Sequence, residues 1–300
     1  MVLDDWRRLE AEVPGVSVRW TGSLTWRSHE GRMEPDVHLR ISQRWIGRHE
    51  IASLEPNLQK IPERALFTRT DAGMDPLATT TALVRAAESL AAEVRLGVGG
   101  VSLEISNGSV IGVTSCKGTY AASTVVLAAG TGVNELCTPL HVRLSVKTSA
   151  AFIVEVSAPA GLVRTILDTP EFEARESRAG HILMTAPHLN DHLSHRPLEQ
   201  LAQETVQHLR WAFSEAGPVT LVGHRIGWRP MPAAGPIVGY LTPDRRTYLA
   251  MMHSGVTLAA TVGRLVADEL TSGRVPEALR RTRPPLYTHK RGAASSAPLY

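Results

Sequence analysis

The sequence predicts a mixed α/β fold, and three observations carry that prediction. Amphipathic helical segments alternate with short strand-like runs along 300 residues. The run Thr124 to Ala128 is continuously apolar, as expected of a strand buried on both faces in a parallel sheet. The stretch LAMMHSGVTLAATVGRLVADEL, Leu249 to Leu270, passes from an apolar strand through the small turn His253-Ser254-Gly255 into a helix.

Taken in order, Leu3, Trp6, Leu9 and Val13 share one helical face, and Pro14-Gly15 stops that helix. From Val16 to about Arg48 the pattern is strand-like, in VSVRWTGSLTW and then HLRISQRWI. IASLEPNL reads as a short helix ended by Pro56. Asp75-Pro76 is a helix start, an N-cap followed by proline at the first helical position, with Leu83, Val84, Ala87, Leu90, Ala91 and Val94 forming the stripe expected to be buried. Short strands follow, with Asn107-Gly108 and Lys117-Gly118 as hairpin turns. The run Thr124 to Ala128 ends in Ala128-Ala129-Gly130, small residues that let a ligand or a second backbone come close. Further strands are expected from Val142 to Met184, including AFIVEV and HILMTA. Leu198, Leu201, Ala202, Val206, Leu209 and Phe213 mark another amphipathic helix. Next come VTLVGHRIGWRPMPAAGPIVGYL, the strand TYLAM and the helix to about Leu270. The tail from about residue 283 is rich in Pro, Ser and Ala and is expected to be ill-ordered. There are no internal repeats.

Composition excludes several function classes. Hydrophobic residues make up 43% of the chain, enough for a sizeable core. The 32 Lys and Arg against 29 Asp and Glu are spread rather than massed, so no nucleic-acid stripe is visible. Two cysteines, Cys116 and Cys137, exclude a disulfide framework and a cysteine-based zinc site. No apolar run approaches a membrane span, and MVLDDWRRLE is charged where a signal peptide needs an apolar core. A soluble, cytoplasmic protein without a nucleic-acid or membrane partner is expected.

Four local patterns bear on function. Gly97-Val98-Gly99-Gly100 looks like the opening of G-x-G-x-x-G, but a helix precedes it and a strand follows, the reverse of a phosphate loop. His188, His192 and His195, with Asp191, have helical metal-ligand spacing, yet Pro187, Asn190 and Pro197 favour a loop and no metal is expected. Arg229, between Gly227-Trp228 and Pro230, is either a fork for a carboxylate or a surface arginine in a proline-rich loop. The His253-Ser254-Gly255 turn either aims free N–H groups at an electron-rich ligand or simply uses Gly255 to turn the chain.

As an ordered set, DAGMDPLATTTALVRAAESLA, STVVLAAGTGV, GWRPMPAAGPIVG and TYLAMMHSGVTLAATVGRLVADEL, with TGSL at Thr21 to Leu24 and LEP at Leu54 to Pro56, resemble the FAD-dependent D-amino-acid oxidase and glycine oxidase superfamily over about Leu3 to Gly273. The resemblance implies an α/β fold in which an incomplete Rossmann-like FAD-binding domain, 66–140 and 219–273, is interleaved with a mixed-sheet substrate domain, 16–65 and 141–218. It implies that His253, Ser254, Gly255, Val256 and Thr257 lie against the flavin. Ala129 and Gly130 let the sheet approach the cofactor, a backbone position near Val101 borders the adenine, and Arg229 holds a substrate carboxylate. His181 and Met184 are the candidates for side chains over the ring. The implied reaction is hydride transfer from a small amino acid or secondary amine to flavin.

One departure stands out. Members of that superfamily begin with a strand, a G-x-G-x-x-G turn, a helix and an acidic ribose-binding residue, and this sequence has none of them. A start codon assigned too late, a second polypeptide supplying the nucleotide-binding unit, or a non-catalytic remnant serving as a binding module would each explain it.

Overall fold

A computed structural model describes residues 1–27, 42–186, 196–213 and 217–284. The chain divides into two compact units, 3–93 with 150–228 and 94–149 with 229 onward.

The first unit opens with α1 (Val2–Glu12), which buries Trp6. The Glu10 carboxylate accepts from the Val18 N–H at 2.7 Å and the Trp20 indole N–H at 3.0 Å, tying the helix to the chain that follows. VSVRWTGSLTW yields only β1 (Ser23–Thr25) and a bridge between Arg19 and Gly73. β2 is Gln43–Gly47, and the residues of the second expected run before it lie outside those described. α2 (Arg48–Leu54) ends before Pro56, as its sequence predicts. β3 (Arg64–Thr68) pairs antiparallel with both β1 and β2, so this segment sits in the first unit although the sequence places 66–140 with the cofactor lobe.

α3 (Pro76–Ser89) is capped by Asp75, whose Oδ1 accepts from the N–H groups of Leu77 and Ala78 at 3.0 Å. Its expected stripe is not closed. Thr79 and Ala82 are buried, Leu83 and Val84 only partly, and Leu90 is 84% exposed. The helix stops at Ser89 because Ala91 takes φ 67, which rotates the last apolar positions out of the helical register.

β8 (Val146–Ser157), β9 (Ile166–Asp168), β10 (Glu173–Arg178), β11 (His181–Thr185) and β12 (Thr220–Pro232) complete an eight-stranded sheet, ordered β12-β8-β11-β10-β9-β1-β3-β2. Register sets Leu24, Leu167, Ala174, Met184 and Val154 in one buried row. Against it packs α5 (Leu198–Ala212) through Leu201, Ala202, Val206 and Leu209, with Phe213 just beyond, the face its 3.6-residue period predicts. Each of the leucine, valine and phenylalanine side chains contributes about 1.5–3 kcal/mol by leaving water.

The second unit contains the antiparallel meander β4 (Ser102–Ser106), β5 (Ser109–Ser115) and β6 (Gly118–Ala121). Asn107 and Gly108 take φ 51 and 78, as a tight hairpin turn requires. A second sheet, ordered β13-β14-β7, holds β7 (Val125–Leu127), β13 (Ile237–Tyr240) and β14 (Thr247–Met251). α4 (Val133–Cys137) follows β7, and α6 (Gly255–Ser272) covers β13 and β14 through Val262, Leu265 and Val266 packed on Val238 and Tyr248.

The fully buried Glu269 of α6 accepts from the Tyr248 hydroxyl at 2.7 Å and from both Nη atoms of Arg283 at 2.6 and 2.7 Å. Gly239 makes room: a Cβ there would lie 2.5 Å from Arg283 Cζ. The tail expected from residue 283 is therefore anchored at its first residue, because a buried carboxylate needs a counter-charge. Residues 285–300 lie outside those described, as does the His188, Asp191, His192, His195 group. Among the described residues no helix is long and apolar enough to cross a membrane.

Two outcomes are expected. Arg283→Ala should destabilise the chain by about 3 kcal/mol in denaturant unfolding, because Glu269 loses the Arg283 cation while staying buried. Cys116 is exposed, whereas burial pushes the Cys137 thiol up to about 11. A thiol reagent at neutral pH should label one cysteine in the folded chain and both after unfolding.

Candidate cofactor and substrate site

The site begins with a pairing. β7 runs parallel to β14, with Val125, Val126 and Leu127 opposite Thr247, Tyr248 and Leu249. Two parallel strands in register end at the same edge, so the turns that follow them leave side by side. After β7 come Ala128, Ala129 and a single 3₁₀ turn, Gly130–Gly132, in which the Gly132 N–H donates to the Ala129 carbonyl at 3.1 Å. Gly130 takes φ 56, and a Cβ at Gly130 or Gly132 would meet nothing within 4 Å. That edge is open in front of small residues.

After β14 the chain passes through Met252 and His253 to Ser254, the N-cap of α6. No side chain caps this helix, and the Leu258 N–H, donating to the Ser254 carbonyl at 3.1 Å, makes the first intrahelical bond. The N–H groups of Gly255 and Val256 thus precede the helical ladder, in an exposed turn where Val256 is 52% accessible. They sit at the positive end of an 18-residue helix. A Cβ on Gly255 would meet nothing within 4 Å. His253 Nδ1 lies 3.2 Å from the Ser254 hydroxyl oxygen. Such a donor set suits an electron-rich ligand.

β13 runs antiparallel to β14 with Ile237 opposite Met251, so the chain enters β13 at this same edge. The segment leading there starts at Arg229, the first of the four β12 residues that belong to the second unit, and runs ahead of Gly235-Pro236. Arg229 is partly buried, and its Nη2 donates to the Ser149 hydroxyl at 2.9 Å. The Ala233 N–H donates to the Ser145 carbonyl at 3.0 Å, holding the segment to the chain before β8. Ser149 escaped the sequence reading because no motif surrounds it; only the contact identifies it.

The other expected residues fall in several places. Val101 precedes β4 and lies off the β7–β14 pair, although Leu103 and Val110 of the meander share a core with Val125 and Leu127. Gly97 to Gly100 is a turn between α3 and β4, where the Cys116 N–H donates to the Val98 carbonyl at 3.3 Å. Met184 is not available to line an open surface, because strand alternation points it into the core beneath α5. His181 lies in the first unit with its ring nitrogens 3.2 and 3.4 Å from Arg178 Nη2. The sequence reading also missed the polar outer face of the large sheet. There Arg27 grips Asp168 two-pronged at 2.9 and 2.8 Å, and burial depresses the pKa of Arg175.

The sequence profile of the FAD dependent oxidoreductase family, DAO, matches residues 2–269. The chain belongs to this family. A D-amino acid dehydrogenase of Cereibacter sphaeroides is 30% identical over 233 residues, covering 74% of this chain and 53% of that protein. The chain thus spans about half the length of the curated relatives it matches. Among solved structures, glycine oxidase from Geobacillus kaustophilus aligns with a TM-score of 0.76 at 18% identity, over 97% of this chain and 82% of that one. The L-amino acid deaminase of Proteus vulgaris also aligns at 0.76, with 17% identity, over 94% and 77%. These likenesses show the DAO fold, as the resemblance in the sequence implies.

Backbone geometry separates the two glycines of the β7 turn. Gly130→Val should destabilise the DAO chain by about 1–2 kcal/mol through its left-handed φ. Gly132, at φ −77 with open space, should accept alanine with little change in the same unfolding experiment.

Proposed function

We propose that this chain forms part of an FAD-dependent oxidoreductase that oxidises a small amino acid or secondary amine. The observation carrying this reading is the shared sheet edge at which the Ala129-Gly130 turn, the N-terminus of α6 and the entry to β13 emerge together. The residues present fit the cofactor: the open space in front of Gly130, Gly132 and Gly255 and the uncapped first turn of α6 are what a close, electron-rich ring system needs.

In this reading the backbone of Ala129 and Gly130 and of His253, Ser254, Gly255, Val256 and Thr257 holds the flavin, and the backbone near Val101 lies toward the adenine. When bound, FAD supplies the hydride acceptor for the substrate α-carbon. Arg229 grips the substrate carboxylate, and its hydrogen bond to Ser149 pre-sets the guanidinium, so less freedom is lost on binding. A carboxylate held two-pronged fixes the α-hydrogen relative to the ring. The reading includes a second polypeptide that supplies a nucleotide-binding strand and helix. Its support is that β7 ends the order β13-β14-β7 among the described residues, with Val126 41% exposed on a strand of wholly apolar sequence.

The test is spectroscopic. The chain, alone or completed by its nucleotide-binding partner, should take up FAD and lose the oxidised flavin absorbance when given a D-amino acid, glycine or sarcosine without oxygen. Arg229→Lys should raise KM for the carboxylate substrate about 10- to 100-fold, the worth of a charge-assisted fork. A colourless chain that ignores FAD and all these substrates would overturn the reading.

A further inference from the structure

β12 ends the eight-stranded sheet, and among the described residues nothing pairs with its outer edge. At 13 residues it is one of the longest strands of the protein, and it exposes Val222 by 55% and Trp228 by 62%. Free edges of this kind are usually blunted by charge, by proline or by brevity. The opposite edge follows that rule. β2 has five residues, Arg44 pairs with Glu50 and stacks on Phe67, and Arg64 covers Trp45. Over Thr220 to Trp228, β12 carries a single arginine, Arg225, no proline and two exposed apolar side chains. Its prolines, Pro230 and Pro232, come only at the far end, where they remove donors and close the segment that can pair.

We propose that two copies of this chain associate by antiparallel pairing of their β12 edges about a two-fold axis at Arg225. Val222 and Trp228 are six residues apart and therefore project from the same face of the strand. Antiparallel self-pairing centred on residue 225 places Val222 of each copy opposite Trp228 of the other, burying both exposed apolar side chains in one cross-strand contact at each end. A shift of the register by two positions sets Trp228 against Thr220 or His224 instead. The same register brings Gly223 opposite Gly227, where no side chain obstructs the approach of the backbones, and His224 opposite Ile226.

The two Arg225 side chains face each other at the centre. Each is already paired with Glu155 of the adjacent strand β8, so two guanidinium and two carboxylate groups meet and the repulsion of like charges is offset. A second copy suits this edge because the segment is complementary to itself in apolar contact, in glycine placement and in charge. Such a contact is isologous and closes at two copies, consistent with an edge that ends in prolines.

The test uses the full chain with Cys116→Ser as background, since Cys116 is exposed. Sedimentation equilibrium should show a reversible dimer, and Val222→Lys with Trp228→Lys should shift it to monomer with unchanged circular dichroism. Under mild oxidation Arg225→Cys should form an intermolecular disulfide, because facing residues approach to about 4.5–5.5 Å. Val222→Cys alone should not, because the two thiols would stand about 20 Å apart along the strands. Val222→Cys combined with Trp228→Cys should crosslink again. A chain that stays monomeric at the highest soluble concentration overturns the proposal. So does a dimer that survives the double lysine variant, or crosslinking of Val222→Cys as efficient as that of Arg225→Cys. None of these readouts depends on FAD or turnover, so they stand apart from the test of the oxidoreductase reading.

Discussion

The parallel alignment of β7 with β14 is the constraint on which the candidate site depends. These are short strands from segments more than a hundred residues apart, and only their common direction makes both end at one edge. Had they paired antiparallel, the glycine turn after Leu127 and the helix start after Met251 would lie at opposite ends of the sheet. The side chains behind the pairing are Val125, Leu127, Leu249 and Met251, which share a core with Val133, Cys137 and Leu140. Burial of ordinary aliphatic residues thus positions the polar backbone groups in front.

Buried carboxylates perform a related task. Glu55 accepts from the N–H groups of Arg164 and Thr165 and from the Thr165 hydroxyl, joining the end of α2 to a loop far along the chain. Burial raises its pKa, and those same donors pull it back toward ionisation. Glu176 accepts from Gly161, Gly180 and Arg19 and so ties β10 to the bridge at Gly73. Glu269 does the same for the segment that reaches Arg283. Each is a short side chain whose desolvation is tolerable only when several donors arrive together, and each therefore specifies where a distant segment must lie.

The carboxylate grip proposed for Arg229 would rest on that same scaffold. Arg229 comes from the last part of β12, and Ser149 comes from the first part of β8, strands adjacent in the sheet order. Pairing of neighbouring strands thus supplies the hydroxyl that holds the guanidinium. A fork held in this way meets a carboxylate with fewer rotamers to lose, which is the physical content of preorganisation.

Local chemistry made much of the protein legible in the sequence. The Asp75 cap, the Asn107-Gly108 hairpin, the face of α5 and the turn before α6 all depend on residues within a few positions of one another, where propensity and period decide the outcome. The order of motifs also pointed to the family. Tertiary structure alone decided which strands pair: β3 joined the large sheet, Met184 turned into the core, Ser149 reached Arg229, and Arg283 was drawn to Glu269. Those outcomes depend on contacts between residues far apart in the chain, whose energies no local window contains.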